Sequence, residues 1–496
     1  MNEGNLHLLQ AQDLLVKFKE GLSGEGRLIR MADDLIGNDA EIIGPFGRKR
    51  LIYADYVASG RSLKSVERFI LEEVLPLYAN SHTEASYCGG FMTGLRQASR
   101  RVIAESCGAD EGYAVVFTGA GATAGLNRLV NLFGVSNCTG VRPRVIMGPY
   151  EHHSNILPWR ESSAEIVEID EAASGGPDLA QLDSALIGAH DRLTICAFSA
   201  ASNVTGITSD VREITRRSNR AGAKIVWDYA GGGPYLPIEL NLGRGAEIDA
   251  VVISPHKFIG GPASSGILIV RRDAVTTNRP TWPGGGTVKF VSQTSHDYSD
   301  SLETREEAGT PNILGDIRAA LAFLVKEAIG QETISARNAA LSKRVFSAWS
   351  KINSIEILGN PNAPRLPIFS FRIADETGGY VHQQLVTRML SDRFGIQARG
   401  GCACAGPYVH RLLDIDDLES DEIRAAILSG NELRKPGFTR LNFSVLLSED
   451  KVDYIIDSVA QLSRDVSSFS DRYDVNVARA IFYPRSETAP QFRTMR

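Results

Sequence analysis

Lys257 closes the stretch Ser254-Pro255-His256-Lys257 directly after the apolar run Val251-Val252-Ile253, so its amine can project from the end of a buried strand into a crevice. An amine desolvated there loses its proton and becomes a nucleophile toward a carbonyl carbon. A solvated surface lysine is the competing reading, against which the flanking His256 and Gly260-Gly261 argue. Asp228 ends Ile225-Val226-Trp227 about one strand-helix unit earlier. A carboxylate there could keep a heteroaromatic ring nitrogen protonated; the same residue also fits a turn or a helix N-cap.

Gly119-Ala120-Gly121-Ala122-Thr123 lies between a strand-like and a helix-like run, where backbone N–H groups and the helix dipole converge on an anion. By itself the turn is weak evidence, lacking the lysine of a nucleotide P-loop and the third glycine of a dinucleotide fingerprint. His152 and His153 follow the strand ending near Met147, in place to stack on a flat ring or relay a proton. As a metal site the pair has no further ligand at the required spacing. A lysine for an imine, a carboxylate for a ring nitrogen, a phosphate seat and a flat group are the four demands of pyridoxal 5′-phosphate (PLP).

These side chains need strand ends to hold them, and the sequence supplies an α/β rhythm from about Tyr113 to Val270. Ala114–Phe117, Arg144–Met147, Leu193–Phe198, Lys224–Trp227 and Asp249–Ile253 read as strands, with helices over Thr123–Phe133 and Val211–Ala221. Apolar strands separated by helices predict a mainly parallel sheet, of the seven-stranded type, covered on both faces. Ligands in such sheets bind beyond the carboxyl ends of the strands, where the candidate residues fall. From about Asp316 a long helix-like run, strands at Ile368–Ile373 and Phe438–Val445 and a helix around Tyr380–Phe394 predict a smaller α+β domain. The expected division is an N-terminal extension over 1–48, a large cofactor domain over 49–315, and a small domain over 316–470 joined by part of the N-terminal segment. A polar, surface-lying tail is expected over 471–496. The extension is read as a helix packed on the small domain; covering the active site or a dimer partner is the other reading.

Composition narrows the partners. The chain of 496 residues is 43% hydrophobic and 23% charged, enough for a large core. Lys and Arg number 53 against 59 Asp and Glu, a net charge of −6 that supplies no broad basic field for nucleic acid. No run approaches a membrane span, and the N-terminus lacks the layout of a secretory signal. Glu20, Glu25, Asp33 and Asp34 argue against a transit peptide, so a cytoplasmic address is expected. Of the six cysteines, Cys88, Cys107, Cys138 and Cys196 read as small buried hydrophobes, whereas Cys402 and Cys404 have unusual context.

Further stretches carry a resemblance. Tyr53-Ala54-Asp55, Tyr78-Ala79-Asn80-Ser81-His82, the run from Glu151-His152-His153 to Trp159, Ser202-Asn203-Val204-Thr205-Gly206, Glu307-Ala308-Gly309-Thr310-Pro311-Asn312 and Arg399-Gly400-Gly401-Cys402-Ala403-Cys404 join Asp228 and the Lys257 stretch in order. From about Tyr53 to about Val459 the chain resembles the class V aminotransferase fold family of PLP-dependent enzymes, and within it the cysteine desulfurases and selenocysteine lyases. The resemblance implies the type I PLP-dependent transferase fold. It also implies that Lys257 forms the imine, Asp228 pairs the pyridinium, His152 stacks on the ring and Asn203 lies close to it. By the same resemblance Ala122, Thr123, Ser254 and His256 hold the phosphate, with Thr310 supplied by the other subunit of a homodimer. Arg440 would grip the carboxylate of a small amino-acid substrate, a task suited to its planar fork. Two departures stand out: Gly231 where the family often has Gln, and Pro255 in place of a small residue.

In a desulfurase the imine lysine removes the Cα proton of cysteine, and a protein thiolate takes the sulfur as a persulfide, leaving alanine. The resemblance puts that nucleophile at Cys404, with a sulfur-acceptor protein as a possible partner. The Gly-Cys-x-Cys pattern with Cys402 is closer to the desulfurase domain of molybdenum cofactor sulfurases. Cys402 and Cys404 also read as a structural pair, as half of a metal site that no second pair completes, or as thiols that exchange with each other. Transamination, epimerisation and lyase chemistry on another amino acid, or a PLP-binding scaffold with decayed catalysis, are the alternative functions.

Overall fold

The computed structural model describes residues 3–81 and 84–485. His82 of the resembled stretch and residues 486–496 of the expected tail lie outside them. By backbone contacts the chain forms two compact units: Met1–Ile36, Ser59–Ser202 and Thr208–Ser335 in the first; Gly37–Ala58, Asn203–Ile207 and Ala336–Arg496 in the second.

In the first unit, helix α1 (Glu3–Leu22) lies along α2 (Tyr87–Cys107). A side chain at Gly94 would meet the His7 carbonyl carbon at 2.9 Å, so the close crossing requires glycine. There follow β1 (Tyr113–Gly119), α3 (Gly121–Leu132), β2 (Arg144–Met147), β3 (Glu165–Glu168), β4 (Thr194–Ser199), α4 (Val211–Arg220), β5 (Lys224–Asp228), β6 (Ala250–Ile253), β7 (Gly266–Arg271) and α5 (Ile313–Ile329). The seven strands lie in the order β1-β7-β6-β5-β4-β2-β3. All run in one direction except β7, which is antiparallel to both its neighbours.

Alternation along the strands builds both faces. Ile225, Trp227, Val251 and Ile253 point into one core with Phe198, Ala319, Ala320 and Phe323. Val226, Ala250 and Val252 point into the other with Leu126, Leu129 and Trp159. Because α5 supplies Ala319, Ala320, Ala322 and Phe323 to the first core, it belongs to this unit, and the domain boundary expected at 315/316 falls inside it. The N-terminal helix likewise sits with α2 and α5, not with the smaller unit; Lys19 pairs with Glu327 at 2.6 Å.

In the second unit, after helix α6 (Gln331–Trp349), come β8 (Ile355–Ile357), β9 (Ile368–Ile373), α7 (Gln383–Phe394), β10 (Arg399–Gly401), α8 (Gly406–Leu412), α9 (Asp417–Leu428), β11 (Phe438–Asn442) and α10 (Glu449–Ser470). An antiparallel sheet, β8-β9-β11-β10, carries the core of Phe369, Phe371, Leu441 and Trp349. The expected polar tail begins instead with a hairpin, β12 (Tyr473–Asn476) and β13 (Ile481–Pro484). Tyr473 is buried and its hydroxyl donates to Asp392 at 3.2 Å, which anchors the hairpin.

Candidate active site

The first unit gathers its candidates at the carboxyl ends of co-directional strands, the place where open α/β sheets take their ligands. Asp228 is the last residue of β5, Ser254 follows β6, and Lys257 ends a short 3₁₀ turn two residues on from Pro255. Ser254 Oγ accepts from Ala122 N at 2.9 Å, tying that turn to the start of α3. A Cβ on Gly121 would come within 3.0 Å of Ser254 Oγ and 3.2 Å of the His256 ring, so this helix N-terminus is kept bare by sequence. Ala122 is buried and Thr123 exposed. Burial, and then the Lys257 charge, push His256 down to about 4, so its ring is neutral.

His152 caps the turn after β2. Its Nδ1 accepts from Ser154 N at 3.1 Å, which leaves Nε2 to carry a ring proton. Ser154 Oγ lies 3.1 Å from the same nitrogen and 2.7 Å from Thr123 Oγ1, so one serine links the imidazole to the start of α3. Ser154 lies in the run from Glu151 to Trp159, and the link depends on its folded position.

Asp228 is 3% exposed, and its Oδ1 accepts from Ala230 N at 2.7 Å. Burial raises its pKa, against the pull of that N–H and of the Lys257 charge. A buried carboxylate so poised gains from a cationic partner, and a protonated ring nitrogen is one. A neutral imidazole and a bare helix N-terminus beside Ser254 likewise suit a phosphate. This donor set fits PLP.

Two further buried residues, Glu151 and Lys326, hold the backbone around these strand ends. Glu151, 3% exposed, accepts from Ser199 N at 2.8 Å, Ser199 Oγ at 2.7 Å and Asn155 Nδ2 at 2.5 Å; burial pushes it up to about 8. Lys326 of α5 donates to Gly233 O at 2.7 Å and so holds the turn after Asp228; burial pushes it down to about 8.

The second unit holds the remaining candidates except Thr310, which is exposed on the first. Arg440 lies on β11, 3% exposed; its Nη1 donates to Asn203 O at 2.9 Å and its Nη2 to Asp55 Oδ1 at 3.1 Å. Arg399 Nε takes the other oxygen of Asp55 at 3.0 Å. After β10 the chain turns: Ala405 N donates to Cys402 O at 3.1 Å, with φ of 51° at Ala403 and 54° at Cys404. Two successive positive φ values mark a type I′ turn, which favours Asn-Gly and strains other residues by roughly 1–2 kcal/mol each. Cys404 is exposed and Cys402 half-buried. Elsewhere Cys107 and Cys196 are buried and pushed up to about 12 by burial, as small hydrophobes should be. Cys138 and Cys88 depart from that expectation, the first exposed and the second half-buried.

A doubly covered sheet with a lysine, a buried carboxylate and an open helix N-terminus at its strand ends defines a PLP-dependent enzyme of fold type I. More narrowly, the chain belongs to the class V aminotransferase family, whose model matches residues 52–454. A probable cysteine desulfurase of Vibrio cholerae serotype O1 is 28% identical over 416 residues, covering 82% of this chain and 93% of that protein. Another, from Staphylococcus aureus strain Mu50, is 28% identical over 369 residues, 73% of this chain and 85% of its own. Among solved structures, the apo cysteine desulfurase from Thermococcus onnurineus NA1 matches with a TM-score of 0.71 at 23% identity, covering 88% of this chain and 98% of that one. The cysteine desulfurase CsdA from Escherichia coli matches at 0.69 and 20% identity, with the same coverage. These two show the shared fold. Among the described residues no helix is long and apolar enough to cross a membrane.

Proposed function

We propose that this enzyme cleaves the C–S bond of L-cysteine, releasing alanine and leaving the sulfur as a persulfide on Cys404. The observation that carries the reading is the exposed Cys404 thiol at the crest of a strained turn, in the unit that also holds Arg440 fixed by Asp55. Relatives named probable cysteine desulfurases, one covering 82% of the chain, support it.

In this reading Lys257 holds the cofactor, Asp228 its ring nitrogen, and Ala122, Thr123, Ser254 and His256 its phosphate, while His152 and Asn203 flank the ring. Bound there, PLP withdraws electron density from the substrate Cα and makes its proton acidic. Arg440 orients the substrate carboxylate, and Lys257 Nζ takes the Cα proton. Cys404 Sγ, as thiolate, attacks the substrate sulfur; the new S–S bond forms as the C–S bond breaks, and the Cβ carbanion equivalent takes up a proton to become the alanine methyl. The sulfur then passes to an acceptor, for which a protein is proposed. A homodimer, with Thr310 serving the other subunit's phosphate, completes the proposed assembly. A cytoplasmic address fits six free thiols.

The test is direct. Purified protein with PLP, L-cysteine and reductant releases alanine and sulfide in equal amounts, and Cys404→Ser abolishes the sulfide. Equal release by wild type and Cys404→Ser would remove Cys404 as acceptor; loss in Cys402→Ser alone would move the role there. Lys257→Ala is expected to retain no cofactor after borohydride reduction, and retention on another lysine would overturn the assignment.

A further inference from the structure

Backbone that combines two left-handed non-glycine residues relaxes unless fixed contacts hold its carbonyl groups. One contact at the Cys402–Ala405 turn is local, the bond from Ala405 N. The other comes from a segment 200 residues away: Asn203 Nδ2 donates to Ala403 O at 2.8 Å, the carbonyl of the peptide that leads into Cys404. Asn203 is 9% exposed, and its own carbonyl is held by Arg440 Nη1 at 2.9 Å. Asp55 then bridges Arg440 on β11 and Arg399 on β10, the strand that feeds the turn. The turn is thus fastened to one polar network twice, at Ala403 O within it and at Arg399 on the strand that feeds it, and the link to Ala403 O needs a side-chain donor at position 203.

We propose that Asn203 is a positioning residue for Cys404, fixing the peptide before it and hence the direction of its Sγ, and connecting that thiol through Arg440 to the carboxylate-binding group. This inference rests on the reading of Cys404 as the sulfur acceptor. It assigns Asn203 a task separate from lying beside the cofactor ring. It also accounts for an asparagine here: alanine removes the donor, and aspartate keeps the size but sets an oxygen against the Ala403 carbonyl.

The experiment uses full-length protein, with and without PLP, and the variants Asn203→Ala and Asn203→Asp. Hydrogen–deuterium exchange of the peptide over residues 401–406 is expected to speed up by roughly tenfold in both, equivalent to about 1.4 kcal/mol for one such bond. Exchange unchanged in both variants overturns the proposal, as does a change seen only with PLP present, which would route the effect through the cofactor. The second readout is the ratio of sulfide released to Cα proton exchanged from L-cysteine. Sulfide release depends on Cys404, whereas Cα exchange depends on Lys257, so the ratio falls if Asn203 acts through the thiol. Parallel loss of both rates overturns the proposal. If Cys404→Ser releases sulfide as wild type does, the desulfurase reading fails at that residue, and the exchange data still decide whether Asn203 holds the turn.

Discussion

Glu151 is a carboxylic acid kept protonated by its surroundings at neutral pH. Its folded pKa of about 8 stands above the ordinary 4.5 because burial disfavours the anion more than three donated hydrogen bonds favour it. The folded state therefore binds a proton that the unfolded chain releases above pH 4.5. The stability this contributes is complete below pH 4.5 and is lost as pH rises through about 8. Compared with Glu151→Gln, wild type should lose unfolding free energy, read by urea titration, progressively from pH 5 to 8, by at most about 1.4 kcal/mol per pH unit. Parallel curves for the two proteins would show that Glu151 is ionised when folded. The contrast with Lys257 and Asp228 is one of legibility. Those two follow apolar runs that mark them as strand-end residues, whereas nothing adjacent to Glu151 in sequence announces Ser199 as its partner. The Asn203 link to Ala403 was hidden for the same reason, since it depends on a turn conformation that an Ala-Cys pair does not advertise.

Among the elements, strands β2, β5 and β9 match their expected spans within a residue, because each is a short apolar run bounded by polar or turn residues. β7 was not anticipated: Gly266–Arg271 is as apolar as its neighbours, and direction cannot be read from hydrophobicity. The hairpin after Ser470 escaped because its anchor, Tyr473 to Asp392, is distant in sequence. The α2, β1 and α5 elements meet at Glu307, whose carboxylate binds Arg96 at 2.5 Å, Arg100 at 2.8 Å and Phe117 N at 2.8 Å; Arg96 also binds Asp316 of α5 at 2.7 Å. The two guanidinium charges hold Glu307 below the usual carboxylate range despite its burial. Removing one member leaves buried charge uncompensated, so Glu307→Ala should destabilise by about 3–5 kcal/mol and Glu307→Gln by less. Urea titration of the purified variants measures this, and a loss under about 1 kcal/mol would mean that water reaches the knot.

For the whole molecule, the α/β class, the covered sheet and a second, smaller α+β unit were legible, since they follow from where strand-like and helix-like runs alternate. The unit boundary was not, because α5 is assigned by what its apolar face packs on, and that face contacts the first core. The proposed assembly extends the same logic to two copies. Thr310 is exposed, three residues after the buried Glu307 knot. A C2 dimer that uses this segment places two equivalent threonines at two equivalent sites. Light scattering should then report twice the 53.8 kDa chain mass. Thr310→Glu, which sets a carboxylate against a phosphate, should weaken PLP retention without changing that mass. Random pairing of Thr310→Glu with Lys257→Ala chains should restore about a quarter of the sites, because half the dimers are mixed and each mixed dimer has one intact site. A monomeric mass, or no restored activity in the mixture while each variant alone remains dimeric, would confine each site to a single chain.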